Sequence, residues 1–293
     1  MKIEKPKVYF SSSLDPNTVL ILYKKTGKEL KGNIAIKVHS GEIGNQNYLQ
    51  PDFWMPIIKY LNGTVVECNT AYEGGRNTTE KHLKTLKLHG WLDAFNCQIL
   101  DDEGPDTKLN IPNGKIIKKN YIGKETAKFN SMLVLSHFKG HPMGGYGGAL
   151  KQLSIGCASS YGKAYIHGAG NPEKLWDTKQ DLFLQSMADA ASSIVKYFNN
   201  DIVYINVMKN MSVDCDCCSV AEDPCMNDIG ILASLDPVAI DQACIDLVYA
   251  SKDKGRDHLV ERIESRNGLL TIKAAEELGI GSRQYEFINI DKK

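Results

Sequence analysis

Short runs of apolar residues alternate with longer amphipathic stretches along most of this 293-residue chain. The apolar runs, rich in Val, Ile and Tyr, predict strands at residues 7–10, 33–39, 64–69, 97–101, 131–138, 202–208, 229–234 and 285–290. Stretches with a helical repeat predict helices at residues 15–25, 52–61, 78–88, 179–198, 237–249, 257–264 and 269–278. Residues 115–121 alternate in polarity and predict an edge hairpin. The pattern indicates an α/β fold with a mixed or mostly parallel sheet flanked by helices on both faces.

The middle of the chain interrupts this alternation, because residues 140–170 contain nine glycines in 31 residues. Glycine permits positive φ and lets the backbone come close to a ligand. The Tyr, Leu, Ile and Lys residues between the glycines favour an ordered segment over a disordered one. We therefore expect a long Gly-rich central loop with a functional role, in which Gly147 and Gly148 approach a ligand.

Composition narrows the class of protein. Lys+Arg and Asp+Glu are equal at 35 each, so no nucleic-acid partner is expected. No apolar stretch approaches the roughly 20 residues that span a bilayer, and residues 1–6 lack the apolar segment of a secretion signal. We expect a cytoplasmic protein without membrane association. Since no linker is visible, residues 1–293 are predicted to form one compact domain; the alternative is two tightly joined lobes, 1–135 and 136–293.

Polar side chains follow two of the predicted strands. Lys37 and His39 end the second strand and could hold an anion, and Glu42 could bind a metal or move a proton. Tyr72 and Arg76 lie in a glycine-bearing turn between a strand and a helix, an arrangement that binds anions through backbone N–H groups and a guanidinium. The alternatives are a polar loop at the rim of the sheet and a capped turn with an exposed arginine.

Three further polar residues alternate after the strand at 131–138. His137, Lys139 and His141 fall on one side of an extended chain. Two imidazoles with an ammonium between them could bind an anion or a metal. They do not form a zinc signature by themselves, because no third ligand lies at a recognised spacing. The alternative is that both histidines are structural.

The densest candidate lies after the strand at 202–208, where residues 214–218 read Asp-Cys-Asp-Cys-Cys. Thiolates are soft metal ligands and redox groups. Cys215 and Cys217 can share one side of the chain, and Asp216 could act as a base. The spacing matches neither zinc ribbons nor ferredoxins, so no iron–sulfur cluster is predicted in this chain. The alternative is a reduced surface loop.

Together these strings resemble the domain-of-unknown-function family 362, whose members are often described as uncharacterised iron–sulfur centre proteins. The resemblance is carried by His-Phe-Lys-Gly-His at 137–141, Gly-Gly-Ala-Leu-Lys at 147–151, Cys-Asp-Cys at 215–217 and the stretch 228–244. Many members carry an inserted ferredoxin-like module. Here residues 171–176 lead directly into a helix, so the resemblance identifies a member that lacks the module.

The leading hypothesis is an enzyme of oxidoreductase or lyase type that acts on a small anionic metabolite through a metal or thiol redox step. The predicted catalytic residues are His39, Glu42, Lys139 and Asp216. The predicted anion-binding or cofactor-binding residues are Lys37, Tyr72, Arg76, Gly147, Gly148 and Lys151. A metal ion, of unknown identity, would be held by His137, His141, Cys215 and Cys217.

The missing module implies a separate ferredoxin-type electron donor if the reaction is a redox one. The competing hypothesis is a non-enzymatic protein that binds a metal or cofactor, or that docks a ferredoxin. The enzyme hypothesis requires that the groups near residues 40, 75, 140 and 216 meet in one cleft.

Overall fold

A computed structural model describes residues 4–102, 104 and 106–292. Residues 1–3 of the N-terminal stretch assessed for a secretion signal lie outside the described residues. The strands are β1 (Lys7–Ser11), β2 (Ile34–Lys37), β3 (Thr64–Glu67), β4 (Cys97–Ile99), β5 (Thr107–Asn110), β6 (Lys119–Ile122), β7 (Ser131–His137), β8 (Lys139–His141), β9 (Gly145–Gly147), β10 (Ile202–Met208), β11 (Gly230–Ser234) and β12 (Glu286–Asn289). The α-helices are α1 (Pro16–Lys25), α2 (Pro51–Leu61), α3 (Thr79–Leu88), α4 (Trp91–Ala94), α5 (Ala149–Lys151), α6 (Ser160–His167), α7 (Gln180–Tyr197), α8 (Pro237–Ala250), α9 (Arg256–Ser265) and α10 (Leu269–Glu277).

Eight of the described strands form the main sheet, in the order β12-β1-β11-β10-β7-β2-β3-β4. Strand β11 pairs antiparallel with both β1 and β10. The other neighbouring strands pair parallel. The prediction of a mostly parallel mixed sheet is therefore confirmed. How the chain divides into domains stays a prediction.

Helices cover both faces of this sheet because its central strands are apolar on both sides. Successive side chains of a strand point to opposite faces. In β7, Met132 and Val134 belong to one core, which α7 and α8 complete. Leu133 and Leu135 belong to the opposite core, which α1 and α2 complete. The continuous apolar runs in the sequence reflect this two-sided burial.

The long central loop expected at residues 140–170 is instead a series of short elements. The hairpin of β8 and β9 leads into α5, a π-helical turn at Gln152–Gly156, and α6. Asp241 of α8 organises the segment: its carboxylate accepts the backbone N–H of Ala149 at 2.7 Å and of Leu150 at 3.0 Å, and the hydroxyl of Tyr146 at 3.2 Å. These contacts join residues about 90 positions apart and could not be predicted from local sequence.

The structure at residues 115–121 also differs from the predicted edge hairpin. Strand β6 pairs antiparallel with β5 in a separate two-stranded sheet, and β5 was not predicted. Within the described part of the chain, none of the helices is long and apolar enough to cross a membrane.

The order of the strands fixes where a site can form. From β2 the chain moves outward to β3 and β4, whereas β7 and β10 lie on the other side of β2. The direction of winding therefore changes between β2 and β7. In open α/β sheets, ligands bind beyond the carboxyl ends of the strands at such a switch point.

Candidate functional site

The segments that follow β2, β3, β7 and β10 enclose a cavity of about 280 Å³ at this switch point. Its walls include seven of the predicted site residues: Lys37, His39, Tyr72, Arg76, His141, Lys151 and Cys217. The exposed ring of Trp176 lies at its rim. The structure thus brings groups from all four predicted regions to one place. The chemical role of each residue stays a prediction.

The two cysteines of the Cys-Asp-Cys string form a coupled pair at the cavity wall. Cys215 is fully buried, and it accepts hydrogen bonds from Cys217, from the backbone N–H of Cys217 at 3.4 Å and from the Nζ of Lys151 at 3.7 Å. Burial opposes ionisation, but the bond from Cys217 and the charge of Lys151 outweigh it and hold the pKa of Cys215 well below its usual range. The same hydrogen bond raises the pKa of Cys217. Cys217 therefore shares its proton with Cys215, which carries the negative charge, and Cys217 is hydrogen-bonded to Cys218 as well.

His141 is placed as a hydrogen-bond donor to these sulfurs. Its Nδ1 accepts the backbone N–H groups of Met143 at 3.1 Å and Gly144 at 2.9 Å. Burial, followed by the nearby charge of Lys151, lowers the pKa of His141 to about 4. The ring is therefore neutral at pH 7, and since Nδ1 accepts, Nε2 carries the proton. Nε2 lies 4.0 Å from the Sγ of Cys217, and the ring hydrogen-bonds to Cys215.

His39 repeats this arrangement from the end of β2. Its Nδ1 accepts the backbone N–H of Gly41 at 3.1 Å, which leaves the proton on Nε2. Burial, with a contribution from Arg76, lowers the pKa of His39, and the ring hydrogen-bonds to Cys215. Two neutral imidazoles and one ammonium therefore surround a single sulfur. Such surroundings are typical of a stabilised thiolate.

The geometry also brings together three groups that could hold a metal ion. One ligand atom each of His141, Cys215 and Cys217 lies within 4.8 Å of the other two. The two sulfurs suit a soft metal. Ligation by Nε2 of His141 would require its proton to move to Nδ1, which faces two backbone N–H groups. These residues fit a metal only in part.

His137, predicted as a metal ligand, lies outside this group. Its Nδ1 is 2.9 Å from the Oδ1 of Asp216, and its Nε2 is 2.6 Å from the backbone oxygen of Lys209. Both ring nitrogens thus face protein oxygens. The Nζ of Lys139 lies 2.9 Å from the Oδ2 of Asp216. Burial opposes ionisation of Asp216, but His137 and Lys139 outweigh it and hold the pKa of Asp216 below its usual range.

Asp216 is therefore a buried, doubly paired carboxylate between the two cysteines. Its oxygens face His137 and Lys139 and it is absent from the cavity wall, so its role as a base stays a prediction. Lys139 likewise directs its charge to Asp216. Burial acts against the charged form of Lys139, but Asp216 more than compensates and raises the pKa of Lys139. Both residues are placed to position the cysteine loop.

A second set of buried ion pairs supports the opposite wall. The Nζ of Lys37 lies 2.5 Å from the Oε2 of Glu67, and Ser40 donates its backbone N–H to Oε1 at 2.8 Å. The Nε of Arg76 lies 3.1 Å from the Oε2 of Glu42. Lys37 and Glu42 are consequently engaged within the protein. Glu67 was missed by the sequence analysis, although an acidic residue at the end of an apolar strand was the available signal.

The two glycines predicted to approach a ligand take different positions. A Cβ at Gly148 would lie 2.4 Å from the Oδ1 of Asp241, so this glycine permits the contact that holds α5. Gly147 lies against the side chains of Lys139 and Lys151. The residues of the cavity that sequence reasoning did not single out are Cys68, Lys163, His167 and Trp176, among others. Lys163 and His167 are four positions apart on α6, which places them on one helical face.

The comparison with protein families confirms the resemblance noted in the sequence. The model of a family described as a domain of unknown function (DUF362) matches residues 34–246, which is most of the chain. No curated protein matches this chain.

Two solved structures are similar in part. The lactate racemase apoprotein from Thermoanaerobacterium thermosaccharolyticum has a TM-score of 0.44 and 15% identity, over 68% of this chain and 50% of its own. A protein from Thermotoga maritima has a TM-score of 0.43 and 10% identity, over 89% of this chain and 58% of its own. This chain thus spans 50% of the length of the first structure and 58% of the second.

Proposed function

We propose that this chain, which belongs to the DUF362 family, is an enzyme that uses Cys215 and Cys217 as a redox dithiol on a small anionic molecule. The observation that supports this most directly is the pair itself. One sulfur is buried and accepts hydrogen bonds from Lys151, His39 and His141 as well as from Cys217, which lines the cavity. A dithiol that shares one proton can present a thiolate near neutral pH.

The cavity suits an anion for an electrostatic reason. Lys151 and Arg76 line it together with the neutral rings of His39 and His141. The low local polarity of a buried site strengthens attraction between a bound anion and these cations. In this proposal the walls of the cavity are stabilised by Lys37, Lys139 and Glu42. The charge of Lys151 stabilises the thiolate and also attracts the substrate.

The proposed step is the reduction of a bond between two heteroatoms, such as a disulfide. When the shared proton lies on Cys215, the sulfur of Cys217 attacks one atom of that bond and forms a mixed disulfide. The other atom leaves with the electron pair and takes up a proton. Cys215 then loses its proton and attacks Cys217, which releases the second half of the substrate and leaves a Cys215–Cys217 disulfide. A separate electron donor, a dithiol or a ferredoxin-type protein, returns two electrons, and one proton from water restores the pair with its shared proton.

An anionic aromatic disulfide, dithiobis(nitrobenzoate), tests this step because each released thionitrobenzoate is coloured. The wild-type pair should release about two equivalents and end as an internal disulfide, identified by peptide mass spectrometry. Cys215→Ser should release about one and retain a mixed disulfide on Cys217. Cys225→Ser is the matched control, because Cys225 lies outside the cavity wall and bonds to the backbone oxygen of Met211.

The proposal fails if the Cys215→Ser protein also forms no lasting adduct on Cys217. It also fails if the Cys215–Cys217 pair of the wild-type protein reacts with the aromatic disulfide no faster than Cys225 does. A comparison with the neutral disulfide dithiodipyridine shows whether the charge of the reagent affects the reaction rate. Cations in the cavity should make the anionic reagent react faster.

A second candidate is a metal-binding protein, because the nitrogen of His141 and the two sulfurs lie within 4.8 Å of one another. This candidate predicts about one equivalent of a soft divalent metal in protein purified without chelators. It also predicts that the pair is unreactive towards the disulfide until a chelator removes the metal. Metal-free, reactive protein would favour the dithiol.

A further inference from the structure

Four lysine side chains serve this site, and three of them have an anionic partner. The Nζ of Lys37 lies 2.5 Å from Glu67, and that of Lys139 lies 2.9 Å from Asp216. The Nζ of Lys151 lies 3.7 Å from the sulfur of Cys215. Each of these pairs compensates the cost of removing an ammonium from water.

Lys163 is the exception among them. It lines the cavity from α6, is buried, and donates to the backbone oxygen of Ala158 at 2.6 Å. An ammonium has three hydrogens, and no ion pair to Lys163 forms among the described residues. Asp101, the carboxylate with the largest electrostatic effect on Lys163, uses its oxygens to accept the backbone N–H groups of Asn69 at 2.9 Å and Ser160 at 2.7 Å.

Two more polar atoms of this cavity lack a partner. The Nη2 of Arg76 and the Nδ1 of His167 are buried, and neither has a hydrogen-bond partner within the described chain. Burial, followed by the nearby His141, lowers the pKa of His167 to about 3, so the ring is neutral and can donate one N–H. Buried polar groups are nearly always satisfied, so unsatisfied ones that line a cavity indicate a missing ligand.

We propose that Lys163, Arg76 and His167 bind the carboxylate of a ligand whose remaining part is apolar. The inference names the substrate class and so rests on the proposed function. A carboxylate offers two oxygens to an ammonium, a guanidinium N–H and an imidazole N–H. The apolar side chains of Met143, Ile155 and Leu175 line the same cavity and receive the rest of the molecule. The volume of about 280 Å³ is at the small end for ligand sites.

Benzoate is a suitable probe, and Trp176 is a built-in reporter. The Trp176 ring lies 6.2 Å from the ring of His167 and 6.0 Å from that of Tyr72, measured between centroids. The other two tryptophans are buried elsewhere. Benzoate should change the tryptophan fluorescence saturably, and the neutral isostere benzamide should bind at least about tenfold more weakly. Trp176→Phe should abolish the signal.

Lys163→Met should weaken benzoate binding by about tenfold or more, while Lys174→Met, a change at a nearby exposed lysine, should not. Because Lys163 has no ion pair to break, Lys163→Met should fold. Arg76→Lys, which removes Nη2 but keeps a cation beside Glu42, should also weaken benzoate. Unchanged affinity in Lys163→Met overturns the carboxylate subsite, and so does tighter binding of phenyl phosphate than of benzoate.

These experiments distinguish a failure of the carboxylate subsite from a failure of the redox dithiol. Cys217→Ser should abolish the disulfide reaction and leave benzoate binding intact, because Cys217 is not one of the three residues proposed to bind the carboxylate. If benzoate fails to bind while the dithiol reaction proceeds, only the subsite is wrong. If benzoate binds with the expected dependence on Lys163 while the dithiol is inert, the redox function is wrong and the subsite stands.

Discussion

The Nζ of Lys151 lies 3.7 Å from the Sγ of Cys215, although the two residues are 64 positions apart in the chain. Lys151 is held by α5, whose first N–H groups bind Asp241. Cys215 is held by the loop that Asp216 fixes to β7. The charge of the sulfur therefore depends on two separately anchored segments that meet beyond the ends of the sheet.

The first prediction concerns the pH dependence of thiol alkylation. The pKa of Cys215 is held well below its usual range, whereas burial raises that of Cys225. Since the thiolate is the reactive form, iodoacetamide labelling of the Cys215–Cys217 pair should stay nearly constant from pH 8 to pH 6. Labelling of Cys225 should fall by about tenfold per pH unit over the same range. Peptide mass spectrometry measures both in one sample, and parallel profiles would contradict the assignment.

The second prediction concerns the donor role of His141. His141→Phe keeps an aromatic ring but removes the N–H that faces the sulfurs. The pKa of the pair should rise by about one unit, since one charge-assisted hydrogen bond stabilises a thiolate by about 1.5 kcal/mol. The midpoint of the labelling profile of the pair should then move up by about one pH unit. His258→Phe, at an exposed position on α9, should leave it unchanged. A metal ligand would instead lose bound metal without this change in the pH profile.

The third prediction concerns the buried pair of Lys37 and Glu67. Glu67→Gln leaves the ammonium of Lys37 without its carboxylate and should lower the free energy of unfolding by about 3–5 kcal/mol. Lys37 outweighs the effect of burial and holds the pKa of Glu67 below its usual range. The stability that ionised Glu67 contributes to the folded protein is therefore present above the pKa of Glu67 in the unfolded chain, about 4.3. It is lost as pH falls through the pKa of Glu67 in the folded protein. Urea unfolding measures the change. Glu80→Gln, at an exposed pair with Lys84, should have no measurable effect.

The fourth prediction concerns Asp241. Asp241→Asn turns one accepting oxygen into an N–H₂ group facing donors, and should cost about 1–3 kcal/mol of stability. Burial raises the pKa of Asp241 to about 6. Since the unfolded pKa is about 3.9, protonation favours the folded state. This contribution is present below about pH 4 and lost as pH rises through about 6, and the variant should lack it. Asp246→Asn, an exposed change on the same helix, is the control.

The sheet could be predicted from sequence because its strands are apolar on both sides. The prediction for β10 matches its observed bounds, Ile202–Met208, and β7 differs by one residue. The glycine-rich segment was wrong as a loop, since its structure depends on Asp241, which lies far away in sequence. Local composition indicates where the backbone can be flexible. It does not indicate that a distant carboxylate, that of Asp241, will accept hydrogen bonds from three groups of the segment.

The location of the site could be predicted from the sequence, but the ion pairs within it could not. The enzyme hypothesis required Arg76, His141 and Cys217 to meet in one cleft, and all three line one cavity. Which charges neutralise one another could not be inferred, because Glu67 and Lys163 gave no motif. Lys37 and Lys139 looked available for an anion, and three-dimensional pairing assigned them to Glu67 and Asp216.

Asp216 lies between the two cysteines in sequence and is fixed by His137 at the end of β7 and by Lys139 at the start of β8. The backbone between the sulfurs is therefore already ordered before any chemistry begins. In the proposed redox function, a change of oxidation state would then require rotation of two side chains and no rearrangement of a whole loop. The conformational entropy of that loop is lost once, during folding, and would not be lost again in each turnover of the proposed reaction.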